Sequence, residues 1–164
     1  MELKQFLELF NPLPGNHYIQ ITDTIDTITL ALQKIISEVD GEFHLALYTQ
    51  DDHPVIPDEL KDVKIQIITD FSRPFRALPR DNDMVIFKNI LFEHKNIEHL
   101  LKIAYTTLAN TANIIILQEK GTMDVEATKK LLENLEFRAP NEIDVLKDYD
   151  LVMAKKMHMW GNGL

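Results

Sequence analysis

Ile143-Asp-Val-Leu-Lys-Asp-Tyr-Asp-Leu-Val-Met-Ala-Lys-Lys-Met-His158 carries two apolar runs, at 143–146 and 151–158, on either side of a polar turn at 147–150. A parallel crossover needs a dozen or more residues, so the two runs read as an antiparallel hairpin. This hairpin sets the fold apart, because everything upstream of it reads as a sheet fed by helical crossovers.

His17-Tyr-Ile-Gln-Ile-Thr-Asp23 reads as the first strand. Ile25, Ile28, Leu32, Ile35, Ile36 and Val39 then repeat at helical spacing, with Asp23 or Thr24 suited to cap the helix and Gly41 to end it. Residues 43–49 and 63–69, rich in β-branched and aromatic side chains, are the second and third strands. The fourth runs from Met84 to Phe87, extending toward Leu91, and a helix over 96–108 places Leu100, Leu101, Ala104 and Leu108 on one face. Residues 112–117 are nearly all apolar, as a central strand buried on both faces requires. Val125, Leu131, Leu132 and Leu135 mark another helix, between Gly121 and a strand near Phe137. Pro12 and Pro14 set a short amphipathic helix at 3–10 apart from the sheet.

The 164 residues fit a single domain, with 1–15 as a flanking helix and linker and 160–164 as a fraying tail. A net charge of −9 without a local Lys/Arg cluster repels phosphate backbones and anionic lipid, so neither nucleic acid nor a membrane is expected as a partner. Glu2 and Glu8 interrupt the apolar residues of the N-terminus, which does not read as a signal peptide, and a cytoplasmic location is expected. The absence of cysteine excludes disulfides, thiolate metal sites and a thiol nucleophile. The six histidines show no pair at metal-ligand spacing on one helix face, since His94 and His99, five apart, diverge, and no metal is expected.

Arg76-Ala-Leu-Pro-Arg-Asp-Asn-Asp-Met-Val-Ile-Phe-Lys-Asn-Ile-Leu-Phe-Glu-His94 carries a Leu-Pro, a polar turn, an Asp-x-Val strand and a Leu-x-x-His. Together with the terminal hairpin, this stretch resembles the class I S-adenosylmethionine-dependent methyltransferases, and the likeness runs over 17–158. The resemblance implies a doubly wound, Rossmann-like α/β sheet of order 3-2-1-4-5-7-6 with strand 7 antiparallel. It also implies S-adenosylmethionine as cofactor, held by a glycine-rich loop after the first strand that lets the backbone approach the methionine end. The equivalent stretch, Ile21-Thr-Asp-Thr-Ile-Asp-Thr-Ile-Thr29, has no glycine, and none occurs between Gly15 and Gly41. The family's acidic residue after strand two falls near Gln50, Asp51 or Asp52, and the one after strand three matches Asp70, with Phe71 placed to stack on an adenine.

By that resemblance, Thr22, Asp23, Thr24, Gln50, Asp51, Asp70 and Phe71 are the candidate cofactor contacts, and His94, whose neutral-range side chain suits proton removal, is the candidate catalytic residue. Helix capping and turn formation explain the same Asp and Thr residues equally simply. Met153, Met157, Met159 and Trp160 suit either the core or an interface. The leading expectation is a methyltransferase-like protein with weak or lost S-adenosylmethionine binding that acts as a binding or assembly module. A homodimer or a protein partner is expected with it, and no small-molecule ligand is identified. The alternative is an active methyltransferase of a small molecule or protein with an atypical first loop.

Overall fold

A computed structural model describes residues 3–157. In chain order the elements are α1 (Leu3–Leu7), β1 (His17–Thr22), α2 (Thr27–Ser37), β2 (Glu42–Tyr48), β3 (Lys64–Ile68), β4 (Asn82–Lys88), α3 (Ile97–Thr107), β5 (Leu108–Glu119), α4 (Val125–Asn134), β6 (Phe137–Glu142) and β7 (Tyr149–Lys156). They form one seven-stranded sheet of order β3-β2-β1-β4-β5-β7-β6. All neighbours pair in parallel except β7, which runs antiparallel to both β5 and β6. This is the order and the reversal that the resemblance implies.

Strand alternation divides the core into two layers. Ile19, Ile21, Val85, Phe87, Ile114 and Ile116 pack with Leu100, Leu101 and Ala104 of α3 and Leu132 of α4. Tyr18, Met84, Ile86, Ile115 and Leu117 face the other way, toward Phe6 of α1 and Ile28, Leu32 and Ile36 of α2. The connections into and out of β3 carry no α-helix, only a 3₁₀ turn at Asp58–Leu60. The carboxyl ends of β2 and β3 are therefore covered by chain that turns back on itself.

Boundaries differ from the sequence reading: Leu108, expected on the face of a helix, opens β5, expected only from residue 112. The first arm of the terminal hairpin is β6, and 143–146 form the connection; Ile143 still donates its N–H to the Leu151 carbonyl at 3.0 Å. β6 is the strand expected near Phe137, and its polar, Pro140-containing run is tolerated because β6 is a sheet edge and pairs only with β7. The N-cap of α2 is Asp26 rather than Asp23 or Thr24. Its side chain accepts from the Ile28 and Thr29 amides, and the Thr29 hydroxyl accepts from the Asp26 amide in return. His158, Met159, Trp160 and the rest of the 160–164 tail lie outside the described residues. Met153 packs against the α1/α2 layer. Since β7 is paired along both edges, it offers no free edge to a second chain.

Gly41 lies where α2 hands over to β2. A Cβ there would stand 2.5 Å from the Asn16 carbonyl oxygen and 2.8 Å from Ile36 Cγ1. The first contact is with backbone that accepts the Glu42 amide at 2.8 Å, so it cannot yield without loosening the start of β2. Gly41→Ala is expected to cost about 1–3 kcal/mol, read as a lower urea midpoint at unchanged slope.

Candidate functional site

Open α/β sheets bind ligands beyond the carboxyl ends of their strands, where neighbouring strands feed opposite sides. In this sheet that place is the junction of β1 and β4, and it is filled by a charge. Lys88, the last residue of β4, is 1% exposed. Its ammonium lies 3.1 Å from Asp23 Oδ1, 3.2 Å from Asp26 Oδ2 and 3.0 Å from Thr24 Oγ1. The ammonium donates to Asp23 and Thr24 and forms an ion pair with Asp26.

The local chain is arranged to deliver those oxygens. The Thr22 hydroxyl donates to the Thr24 carbonyl at 2.8 Å and accepts from the Thr24 amide at 3.3 Å, bending the chain just after β1. The bend brings Asp23 and Thr24 over the end of β4, and no residue from 22 to 26 adopts a positive φ. Asp26 works with both oxygens: Oδ1 caps α2 through Ile28 N at 3.0 Å and Thr29 N at 3.3 Å, while Oδ2 faces Lys88. The Tyr149 ring of β7 stands 5.9 Å from the ammonium.

Burial pulls the Lys88 pKa down, but Asp26 and then Asp23 outweigh it, with smaller help from Tyr149, so the net shift is upward. The side chain stays an ammonium and has no lone pair for nucleophilic or Schiff-base chemistry. With one cation and two carboxylates the cluster carries a formal charge of −1.

Of the sequence-derived candidates, Thr22, Asp23 and Thr24 come together here. The others do not join them. Asp51 is exposed and accepts from the His53 amide at 2.9 Å in its own turn, next to exposed Gln50. Asp70 is exposed as well; it accepts from the Ser72 hydroxyl at 2.6 Å and amide at 2.9 Å, and those bonds, with a smaller pull from Arg73, lower its pKa. Phe71 is half-buried edge-on to Tyr48, whose ring also meets His94 edge-on.

His94 is 5% exposed and has both ring nitrogens engaged by backbone. Nδ1 accepts from the Asn96 amide at 3.0 Å, and Nε2 lies 3.1 Å from the Arg73 carbonyl oxygen, so the neutral Nε2–H tautomer satisfies both. The Tyr48 hydroxyl donates to the same Arg73 carbonyl at 2.5 Å. Tyr48 and His94 thus pin the β3–β4 connection from beneath. Neither nitrogen of His94 is left to take a proton from a substrate in this arrangement.

Lys88 escaped the sequence reading, although a signal was present. Met84-Val-Ile-Phe-Lys88 ends a central strand on a cation, and the acid-rich, glycine-free stretch after β1 supplies its counterions. Strands 1 and 4 are neighbours in this topology, so the two features had only to be read together.

The chain has the class I methyltransferase fold. No family model and no curated protein sequence matches it. Among solved structures, it is similar to an S-adenosylmethionine-dependent methyltransferase from Aquifex aeolicus, with a TM-score of 0.68, 14% identity, and 94% of this chain and 89% of that chain covered. It is also similar to a Haemonchus contortus phosphoethanolamine N-methyltransferase 2 in complex with S-adenosylmethionine, at a TM-score of 0.71, 11% identity, and 96% and 52% coverage. A putative methyltransferase from Haloferax volcanii, solved in complex with the Trm112 methyltransferase activator, has a TM-score of 0.69, 9% identity, and 96% and 89% coverage. The chain spans about half the length of several of the structures it matches.

Removing one partner of a buried charge pair leaves the other uncompensated, at about 3–5 kcal/mol. Asp23 and Asp26 retain about a third of their exposure and can rehydrate, so Lys88→Met is expected to cost about 2–3 kcal/mol at neutral pH, measured by urea denaturation. The pH dependence has a definite sign. Lys88 is raised above its ordinary 10.5, and burial followed by the Asp83 charge pushes Tyr18 from 10.0 up to about 12. Both hold protons more tightly when folded, so their contribution is complete below about pH 10 and is lost as pH rises through the folded values. The urea midpoint should stay level from about pH 8 to 10 and then fall, less steeply in Lys88→Met.

Proposed function

We propose that this chain is a binding or assembly module on a methyltransferase fold, with weak or lost affinity for S-adenosylmethionine. The observation that carries this reading is the Lys88 cluster. In methyltransferases the loop after the first strand lies against the amino-acid end of the cofactor, and here that loop is folded onto a side chain of the protein itself. The residues do not fit the cofactor on three counts. Thr24, Ile25 and Asp26 each bring a Cβ where the family places glycine. The Lys88 ammonium is buried and already faces two carboxylates of the chain, with two of its protons donated to Asp23 and Thr24. The cluster's remaining negative charge repels that carboxylate.

The other half of the crevice supports the same reading. Asp51 and Asp70 spend hydrogen-bonding capacity on their own turns, and Phe71 packs on Tyr48 instead of standing open for a base. Among the described residues no group of His, Asp and Glu could hold a metal, and no helix is long and apolar enough to cross a membrane. A protein partner is the favoured kind. The net charge of −9 argues against nucleic acid, and the Haloferax structure provides a precedent for this fold beside a partner protein.

Calorimetric titration with S-adenosylmethionine and S-adenosylhomocysteine tests the reading. Affinity no tighter than about millimolar is expected, some 4 kcal/mol of binding. Replacing Thr24 and Asp26 with glycine should strengthen it, because glycine is a tolerable N-cap and the change removes both bulk and charge. Micromolar affinity in the unaltered chain would overturn the reading and establish the active methyltransferase with an atypical loop in its place.

A further inference from the structure

We infer that two copies of this chain associate through the open edge of β3, antiparallel about a two-fold axis at Ile67, to continue the sheet. The two edges of the sheet are built differently. The β6 edge has Pro140, a register shift between Arg138 and Asn141, and Ala139 at φ +52, all of which spoil a pairing template. The β3 edge has none of these. Its five residues pair with β2 in unbroken register from Lys64 to Ile68, and Ile67 is 40% exposed. A groove of about 730 Å³ borders it, lined by Ile65, Ile67, Asp70, Arg73, Pro74 and Arg76. The Gln66 amide fixes the segment after β3, donating to the Arg76 carbonyl at 2.6 Å and accepting from the Arg76 amide at 2.8 Å.

Backbone parity and charge select the occupant and its register. The Ile68 carbonyl accepts from Thr49 of the β2 side, so Lys64, Gln66 and Ile68 turn their backbone groups inward. Ile65 and Ile67 turn theirs outward, and the same alternation carried one residue on gives Thr69. With the two-fold at Ile67, that residue meets its own copy as a hydrogen-bonded pair, Ile65 meets Thr69, and Lys64 stands opposite Asp70 of the partner subunit, twice by symmetry. Sliding by one pairing step toward the N-terminus sets Asp62 against Asp70 instead, and sliding the other way leaves Lys64 facing Ser72. Only the central register pairs opposite charges.

A single five-residue edge is a small interface, so the dimer forms in a concentration-dependent way. The inference is independent of the Lys88 reading, which ligand titration tests separately. Sedimentation equilibrium on the full chain from about 5 to 500 μM should show a dimer growing with concentration. Ile67→Pro, which removes an outward N–H without touching a bond to β2, should leave a folded monomer by circular dichroism and abolish the dimer. Lys64→Asp and Asp70→Lys should each weaken association about tenfold by setting like charges opposite each other, and the double exchange should restore it. A chain monomeric throughout the range overturns the inference. A dimer indifferent to Ile67→Pro overturns it equally, as does one that both single charge reversals leave unchanged.

Discussion

A lysine ammonium that is 1% exposed at the end of a central strand constrains everything around it. Taking such a charge out of water without partners costs several kcal/mol, so the chain can bury Lys88 only by bringing its counterions along. All three of the side chains that face it come from the four residues after β1, and one of them, Asp26, also starts α2. The bend after β1, the first turn of α2 and the β1–β4 junction are therefore one construction. This is how the loop is made without glycine: Thr22 closes the bend through its hydroxyl, and Asp23, Thr24 and Asp26 face the lysine.

The same economy governs the far side of the crevice. With no α-helix between β3 and β4, the connection would hang loose over the strand ends. The Arg73 carbonyl instead receives bonds from both Tyr48 and His94, and Phe71 packs against the Tyr48 ring. Polar groups that would wait for a ligand in an open cleft are here satisfied by one another. Burial accordingly raises the pKa of Tyr48, whose phenol is held neutral as a donor.

The architecture was legible in the sequence because it rests on periodicity. Short β-rich runs, helical apolar stripes and a turn too short for a crossover give an α/β sheet ending in a hairpin, and the order of its strands is what the resemblance carried by 76–94 and that hairpin implies. What eluded the reading depends on tertiary partners. The strand expected near Phe137 is itself the first arm of the hairpin, because β7 offers Phe137–Glu142 an edge, while the more apolar 143–146 run is spent on the connection. Asp23, Thr24 and Asp26 are equally good caps on paper. The lysine decides among them, since it draws Asp23 and Thr24 to β4 and leaves Asp26 to cap. For His94 the sequence supplied a residue of suitable chemistry, but not the two backbone groups that occupy its ring.

A cleft that awaits a ligand keeps part of its free energy in reserve: polar groups stay imperfectly paired until the ligand completes them, and binding then stabilises the fold by mass action. Here the ion cluster and the Tyr48–His94 clamp complete those groups within the chain. On the binding-module reading proposed above, a ligand entering the crevice first breaks bonds already made, and its apparent affinity falls by the cost of opening the site. On that reading the surfaces of the fold, rather than its crevice, are the part that interacts.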